Sequence, residues 1–182
     1  MALILPVKNV YPSFGENCFI APNATVVGDV IMGRDGSIWF NAVVRGDVNA
    51  IRMGDKVNIQ DGAIIHCTYQ KTQTIIGHQV SIGHRAIVHG CTVGDNVLIG
   101  MGSIIMDRVV IGENSIIGAG AVVLEGTLIP PGSIYAGIPA KLIKSVPPAL
   151  MDGEILRIAN NYIFYADWFR ETTNEGTDRF KK

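Results

Sequence analysis

Aliphatic residues return along this chain at about every sixth position. The clearest run is Val93, Ile99, Ile105, Ile111, Ile117, Val123 and Ile129, and the beat extends from Ile20 to Tyr135. Gly follows the aliphatic at positions 94, 100, 112 and 118. A small or branched residue sits four after it at Val97, Ser103, Val109, Ser115 and Ala121. A fixed hexapeptide period is the signature of a parallel β-helix, so the pattern predicts an all-β solenoid. Three hexads, about 18 residues, close one triangular coil. On faces labelled a, b and c, Ile76 falls on a, Ile82 on b and Val88 on c. One coil earlier the same faces carry Met53, Ile59 and Ile65, and earlier still Ile38 is on b and Val44 on c. The beat slips around Val48–Ile51 and again around Cys67–Thr74, and both stretches are expected to be loops thrown out of the coil. One residue is missing at Cys91–Thr92.

Pro147-Pro148 ends the repeats. Ile155, Ile158, Tyr162, Tyr165 and Phe169 then recur at three- and four-residue spacing, which predicts a helix over Met151–Arg170 that packs back along the prism. Polar residues from Glu171 to Lys182 read as a loose tail. The expectation is one domain over 1–182, with a β-helix at about 13–143, a C-terminal helix at about 148–171 and a tail at 172–182.

Periodicity turns spacing into position. His66 and His89 each follow a c-face aliphatic by one, so they should stack on one edge, about 4.8 Å apart along the backbone. His84 follows b-face Ile82 by two and should lie on a different edge. The three can meet if edge c of one copy faces edge b of the next, which closes most simply as a three-fold ring. Three imidazoles with one open position is the ligand set of a catalytic zinc site. Solenoid histidines are also often plain turn or surface residues, and the pattern alone leaves both readings open. His78, on face a without a stacked polar partner in register, is given no role.

The neighbouring positions are polar. Arg45 follows c-face Val44 and lies one coil below His66. Asp61 follows Ile59 by two and lies directly below His84, with Gln60 beside it. Arg45 of one copy could meet Asp61 of the next as a structural ion pair, or present its guanidinium to a planar oxyanion, or both. Asp47 is a second partner for that guanidinium, and Gln60 could hydrogen-bond a metal-bound water. Cys67 beside His66 is a weaker candidate ligand.

Composition narrows the classes. Apolar residues make up 48% and charged residues 17% of 182, as stacked interior aliphatics require. A net charge of −1 gives no long-range attraction to nucleic acid or anionic membrane. No apolar run of transmembrane length occurs, and Met1–Pro6 is too short and lacks the basic leader of a signal peptide. Three widely spaced cysteines suit a reducing cytoplasm rather than a disulfide framework.

Arg45-Gly46-Asp47, Gln60-Asp61, His66, His84 and His89, set on hexapeptide repeats, resemble the gamma-class carbonic anhydrase family. The likeness covers nearly the whole chain, including Ala136-Gly137-Ile138-Pro139-Ala140-Lys141 and the helix after it. It implies a left-handed parallel β-helix with a C-terminal α-helix. It also implies a homotrimer with Zn2+, or Fe2+ or Co2+, between adjacent subunits, His66 and His89 coming from one chain and His84 from its neighbour. The implied activity is reversible hydration of CO2 to bicarbonate by a metal-bound hydroxide. In that chemistry Arg45 steadies bicarbonate, Gln60 orients the hydroxide, and Asp61 and Asp47 anchor Arg45.

The best-studied members carry an acidic loop after the first His and a second acid after the Asp47 position. Here those places hold Cys67–Thr74, which has no acid, and Val48. The chain is therefore more similar to a shorter bacterial branch, and slow proton export with modest turnover is expected. Tyr162, in Asn160-Asn161-Tyr162, matches a C-terminal tyrosine near the metal in that branch. Two other classes stay in view: an acyl-CoA-dependent hexapeptide acyltransferase, and a non-catalytic metal-binding trimeric assembly protein.

Overall fold

The computed structural model describes residues 1–174. Short parallel strands stack on three faces, coil upon coil, into a left-handed β-helix of about seven turns. Face b carries Phe19–Ile20, Ser37–Ile38, Asn58–Ile59, Ser81–Ile82, Leu98–Ile99, Ile116–Ile117 and Ser133–Ala136. Each coil hydrogen-bonds the next through backbone groups, as where Trp39 N–H donates to Ile59 O at 2.9 Å and Gln60 N–H to Ile82 O at 2.9 Å. The hexad aliphatics point inward: Ile38, Ile59, Ile82, Ile99 and Ile117 are all fully buried. Burying each contributes about 1.5–3 kcal/mol, so the stacked interior is the main source of stability.

A turn residue in the left-handed backbone region makes each corner. On the a–b corner these residues are Asn17, Asp35, Lys56, Gln79, Asn96, Asn114 and Gly132. Asn and Asp tolerate that region through local hydrogen bonding. Here they also bond across coils, Asn17 Nδ2 to Asp35 Oδ1 at 2.7 Å and Asn96 Nδ2 to Asn114 Oδ1 at 3.0 Å.

His78 belongs to a second column on this corner. Its Nδ1 accepts the Asp55 N–H at 3.0 Å, and its own N–H donates to Asp95 Oδ1 at 2.7 Å. The expectation that it lacks a stacked polar partner is corrected: the slips in the beat leave the corner columns in register, and His78 ties three coils together.

The two slips differ in kind. Cys67–Gln73 is a loop between the strands Ile64–His66 and Thr74–Ile76, as expected. The stretch around Val48–Ile51 is not a loop. It lies within one long strand, Val43–Met53, which rounds the corner from face c to face a against Thr25–Met32. The extra residues are absorbed as a register shift opposite Asp29, and Arg52 pairs with Asp29 at 2.7 Å beside it.

Both ends of the solenoid extend past the expected bounds. Leu3–Leu5 pairs in parallel with Thr25–Val27, so face c begins before residue 13. Lys141–Ser145 closes face b as an antiparallel strand against Ser133–Ala136. After Pro147 the chain turns helical at Pro148–Leu150, widens to i→i+5 spacing over Met151–Leu156, and continues as a regular helix over Arg157–Asn174. It thus runs past 171 into the expected tail, whose remaining residues 175–182 lie outside those described. Ile155, Ala159 and Ala166 are buried against the prism. Tyr162 and Phe169 meet Trp39 on face b at ring distances of 5.2 and 5.5 Å. No helix among the described residues is long and apolar enough to cross a membrane.

At Gly132 (φ +67°) an added Cβ would meet nothing within 4 Å. Gly132→Ala should therefore measure the left-handed backbone penalty alone. The expected loss is about 1–2 kcal/mol by denaturant unfolding, and an unchanged midpoint would show that the corner relaxes freely.

Candidate metal centre

The c-face ladder pairs His89 directly with His66, in register with Val88 on Ile65 and Ile87 on Ile64. The rings face each other with His66 Nδ1 and His89 Nε2 3.1 Å apart. A carboxylate flanks each ring on its other nitrogen. Asp47, from the coil below, lies 3.1 Å from His66 Nε2, and Asp107, from the coil above, lies 2.5 Å from His89 Nδ1. If each ring donates to its carboxylate, the two inner nitrogens present bare lone pairs to the same point. That is a two-imidazole donor pair suited to a cation.

Arg45 Nη1 lies 2.5 Å from Asp47 Oδ2, so guanidinium, carboxylate and imidazole form one chain of contacts. Burial holds the pKa of His66 below the ordinary imidazole value, and the Arg45 charge and His89 push it the same way against the Asp47 hydrogen bond. The neutral, ligand-competent imidazole is thereby favoured. Burial works against ionisation of Asp47, but the hydrogen bonds from Arg45 and His66 outweigh it and its pKa falls. At Asp107 burial is likewise outweighed, there by Thr68 and His89.

His84 sits on the other edge, as the spacing implies. Its Nδ1 is 2.9 Å from Asp61 Oδ2, directly below it, and both side chains are about 40% exposed. Gln60 is buried and donates through Nε2 to Asn58 Oδ1 at 3.0 Å, while Asn58 Nδ2 donates to Ser81 Oγ at 2.8 Å. This chain fixes the amide plane of Gln60 and leaves its oxygen as an acceptor. Within the chain, then, the expected residues form two half-sites: Arg45, Asp47, His66 and His89 on one edge, Gln60, Asp61 and His84 on another. Among the described residues of one chain, no set of three or more His, Cys, Asp or Glu gathers that could hold a metal. The donor chemistry fits a divalent ion shared between copies, with two neutral imidazoles from one edge and one from another.

Tyr162 lines a groove of about 430 Å3 between the helix and face b, together with Gln60, His84, Met101, Ile116 and Ile158. Burial first, then the charges of Asp61 and Tyr165, push its pKa up to about 12, so near neutrality it stays a neutral phenol whose hydroxyl can both donate and accept a hydrogen bond. Cys67 points away from the site: it is buried, and its Sγ–H donates to the Asn49 and Ala50 carbonyls at 3.6 Å. Asp107 is the residue the spacing did not reveal. Its signal was a polar residue one coil above a His, over the side-chain-free Gly90.

Hexapeptide family models match parts of the chain. The bacterial transferase hexapeptide (six repeats) matches residues 11–46 and 90–125, and the hexapeptide repeat of succinyl-transferase matches 73–106. The chain is 42% identical to a carbonic anhydrase of Geobacillus kaustophilus, over 96% of this chain and 95% of that protein. The chain belongs to the gamma-class carbonic anhydrase family. It is also 40% identical to the mitochondrial gamma carbonic anhydrase 1 of Arabidopsis thaliana over 90% of its own length, though it spans only 60% of that relative. Among solved structures, the BC4754 gene product of Bacillus cereus superposes with a TM-score of 0.89 at 38% identity, covering 94% of this chain and 98% of that one. That protein is described, provisionally, as an acetyltransferase.

The raised Tyr162 pKa sets an alkaline limit. The unfolded phenol loses its proton near 10 and the folded one near 12, so between them the folded state holds more protons and stability falls as pH rises. Tyr162→Phe should flatten the decline of unfolding free energy between those two pH values. A slope equal to wild type would mean that Tyr162 ionises normally.

Proposed function

We propose that this protein catalyses the reversible hydration of CO2 to bicarbonate at Zn2+ sites, or Fe2+ or Co2+ sites, shared between the subunits of a homotrimer. The observation that carries the reading is the pair of complementary half-sites on edges c and b of one chain. His66 and His89 of one subunit and His84 of the next would hold the metal. Such an ion supplies Lewis acidity, lowering the pKa of a bound water to about 7.

The chain's own residues do the rest. Arg45, its guanidinium aligned by Asp47, offers a planar two-point contact for bicarbonate. Asp61 orients the His84 ring and, across the proposed interface, would anchor Arg45. The Gln60 oxygen would accept a hydrogen bond from water in the groove and so orient its lone pairs. Apolar walls from Met101, Ile116 and Ile158 suit entry of an uncharged gas.

Face c supports the assembly. Val43, Ile64, Ile87, Ile104 and Val122 stack outward in register beside the histidine pair. Ile64 and Ile104 are exposed in the single chain, and an apolar ladder of this kind marks an interaction surface. The three free thiols suit a cytoplasmic setting. An acyl-transfer reading has support in how the Bacillus cereus relative is described. A lone general base, however, would leave the braced histidine pair and Arg45 without a use.

The deciding experiment is stopped-flow CO2 hydration on metal-loaded protein beside His89→Ala, with metal content measured. Activity and metal should be lost together, and turnover should rise with buffer concentration, because the loop Cys67–Gln73 offers no acid to carry the proton out. Metal at about one per chain without hydration would overturn the reading and direct attention to acetyl-CoA.

A further inference from the structure

The loop Cys67–Gln73 holds no acid, yet it is packed against the histidine pair through hydroxyl groups. Thr68 Oγ1–H donates to Asp107 Oδ2 at 2.5 Å, and the other oxygen of that carboxylate lies 2.5 Å from His89 Nδ1. The loop is itself tied down. Thr68 N–H donates to Thr72 Oγ1 at 3.0 Å, and Thr74 Oγ1 donates to His66 O at 2.7 Å while accepting the Gly90 N–H at 3.0 Å.

Gly90 makes the approach possible. It takes φ +54°, and a Cβ there would lie 2.1 Å from Asp107 Oδ1 and 2.3 Å from Thr72 Oγ1. Any side chain at this position would expel either the carboxylate or the loop.

We propose that Asp107, held by the Thr68 hydroxyl, is a positioning residue that fixes the ring and tautomer of His89, so that the acid-free loop serves the site as a brace. This rests on the reading of His89 as a metal ligand. With Nδ1–H committed to Asp107, the proton is kept off Nε2, which turns its lone pair toward His66. A carboxylate behind a ligating His orients the ring and raises its basicity, and its loss typically costs 10–100-fold in metal affinity. His66 already has the matching support from Asp47, so the pair is braced from the coil below and the coil above.

The test is Zn2+ affinity, by competition with a chromophoric chelator, together with the visible spectrum of the Co2+ form. It compares the full-length wild type with Asp107→Ala, Asp107→Asn, Thr68→Val and His89→Ala. Asp107→Ala should bind Zn2+ about 10–100-fold more weakly with an altered Co2+ spectrum and an unchanged oligomeric state. Asp107→Asn, whose amide oxygen still accepts from Nδ1–H, should recover much of the affinity, and Thr68→Val should fall between. Wild-type affinity and spectrum in Asp107→Ala, with metal lost in His89→Ala, would overturn the brace and leave the metal site standing. Wild-type binding in His89→Ala would instead remove the site and the brace with it. Should Asp107→Ala fail to fold, Thr68→Val decides, and wild-type affinity there overturns the proposal.

Discussion

Everything in this molecule depends on the parallel hydrogen-bond ladder between successive coils. Each coil donates from its backbone N–H groups to the carbonyls of the next along all three faces. The ladder locks register, so residues one coil apart share a position about 4.8 Å apart. A slip of one residue would turn the buried aliphatics outward and the exposed residues inward. The fully buried stack of Ile38, Ile59, Ile82, Ile99 and Ile117 is therefore both the core and the device that forbids the slip.

A site drawn from such columns inherits their rigidity. His66 and His89 sit at the ends of paired strands, and their flanking carboxylates come from the adjoining coils. Two carboxylates and one guanidinium around two imidazoles leave the pocket with net negative charge whenever the histidines are neutral. Burial holds His66 toward that neutral state. Negative charge and neutral ring nitrogens are what a divalent cation needs. The electrostatics and the backbone register thus point to the same use.

Much of this was legible because a hexapeptide beat is a coordinate system. Counting from Ile65 and Val88 places His66 on His89, and counting from Ile59 and Ile82 places Asp61 under His84. Asp107 escaped because it follows c-face Ile105 by two, over Gly90, and so lies outside the one-after column that His66 and His89 share. The stretch around Val48–Ile51 was misread because extra residues in a solenoid can be absorbed by a bulged strand as well as expelled as a loop. His78 was underrated because its partners are backbone N–H groups and carboxylates of corner residues, which the aliphatic count does not track.

The separation of the half-sites carries one more consequence. His84 lies on a different edge from the His66–His89 pair, and among the described residues of one chain no three potential ligands gather. Any function that needs all three imidazoles must be a function of the assembly. The apolar ladder Val43, Ile64, Ile87, Ile104 and Val122 beside the histidine pair gives the chain a hydrophobic reason to assemble whether or not metal is present. On the proposed reading, that order of events lets packing energy preorganise the ligands, so that the metal enters a site already braced by Asp47, Asp107 and Asp61.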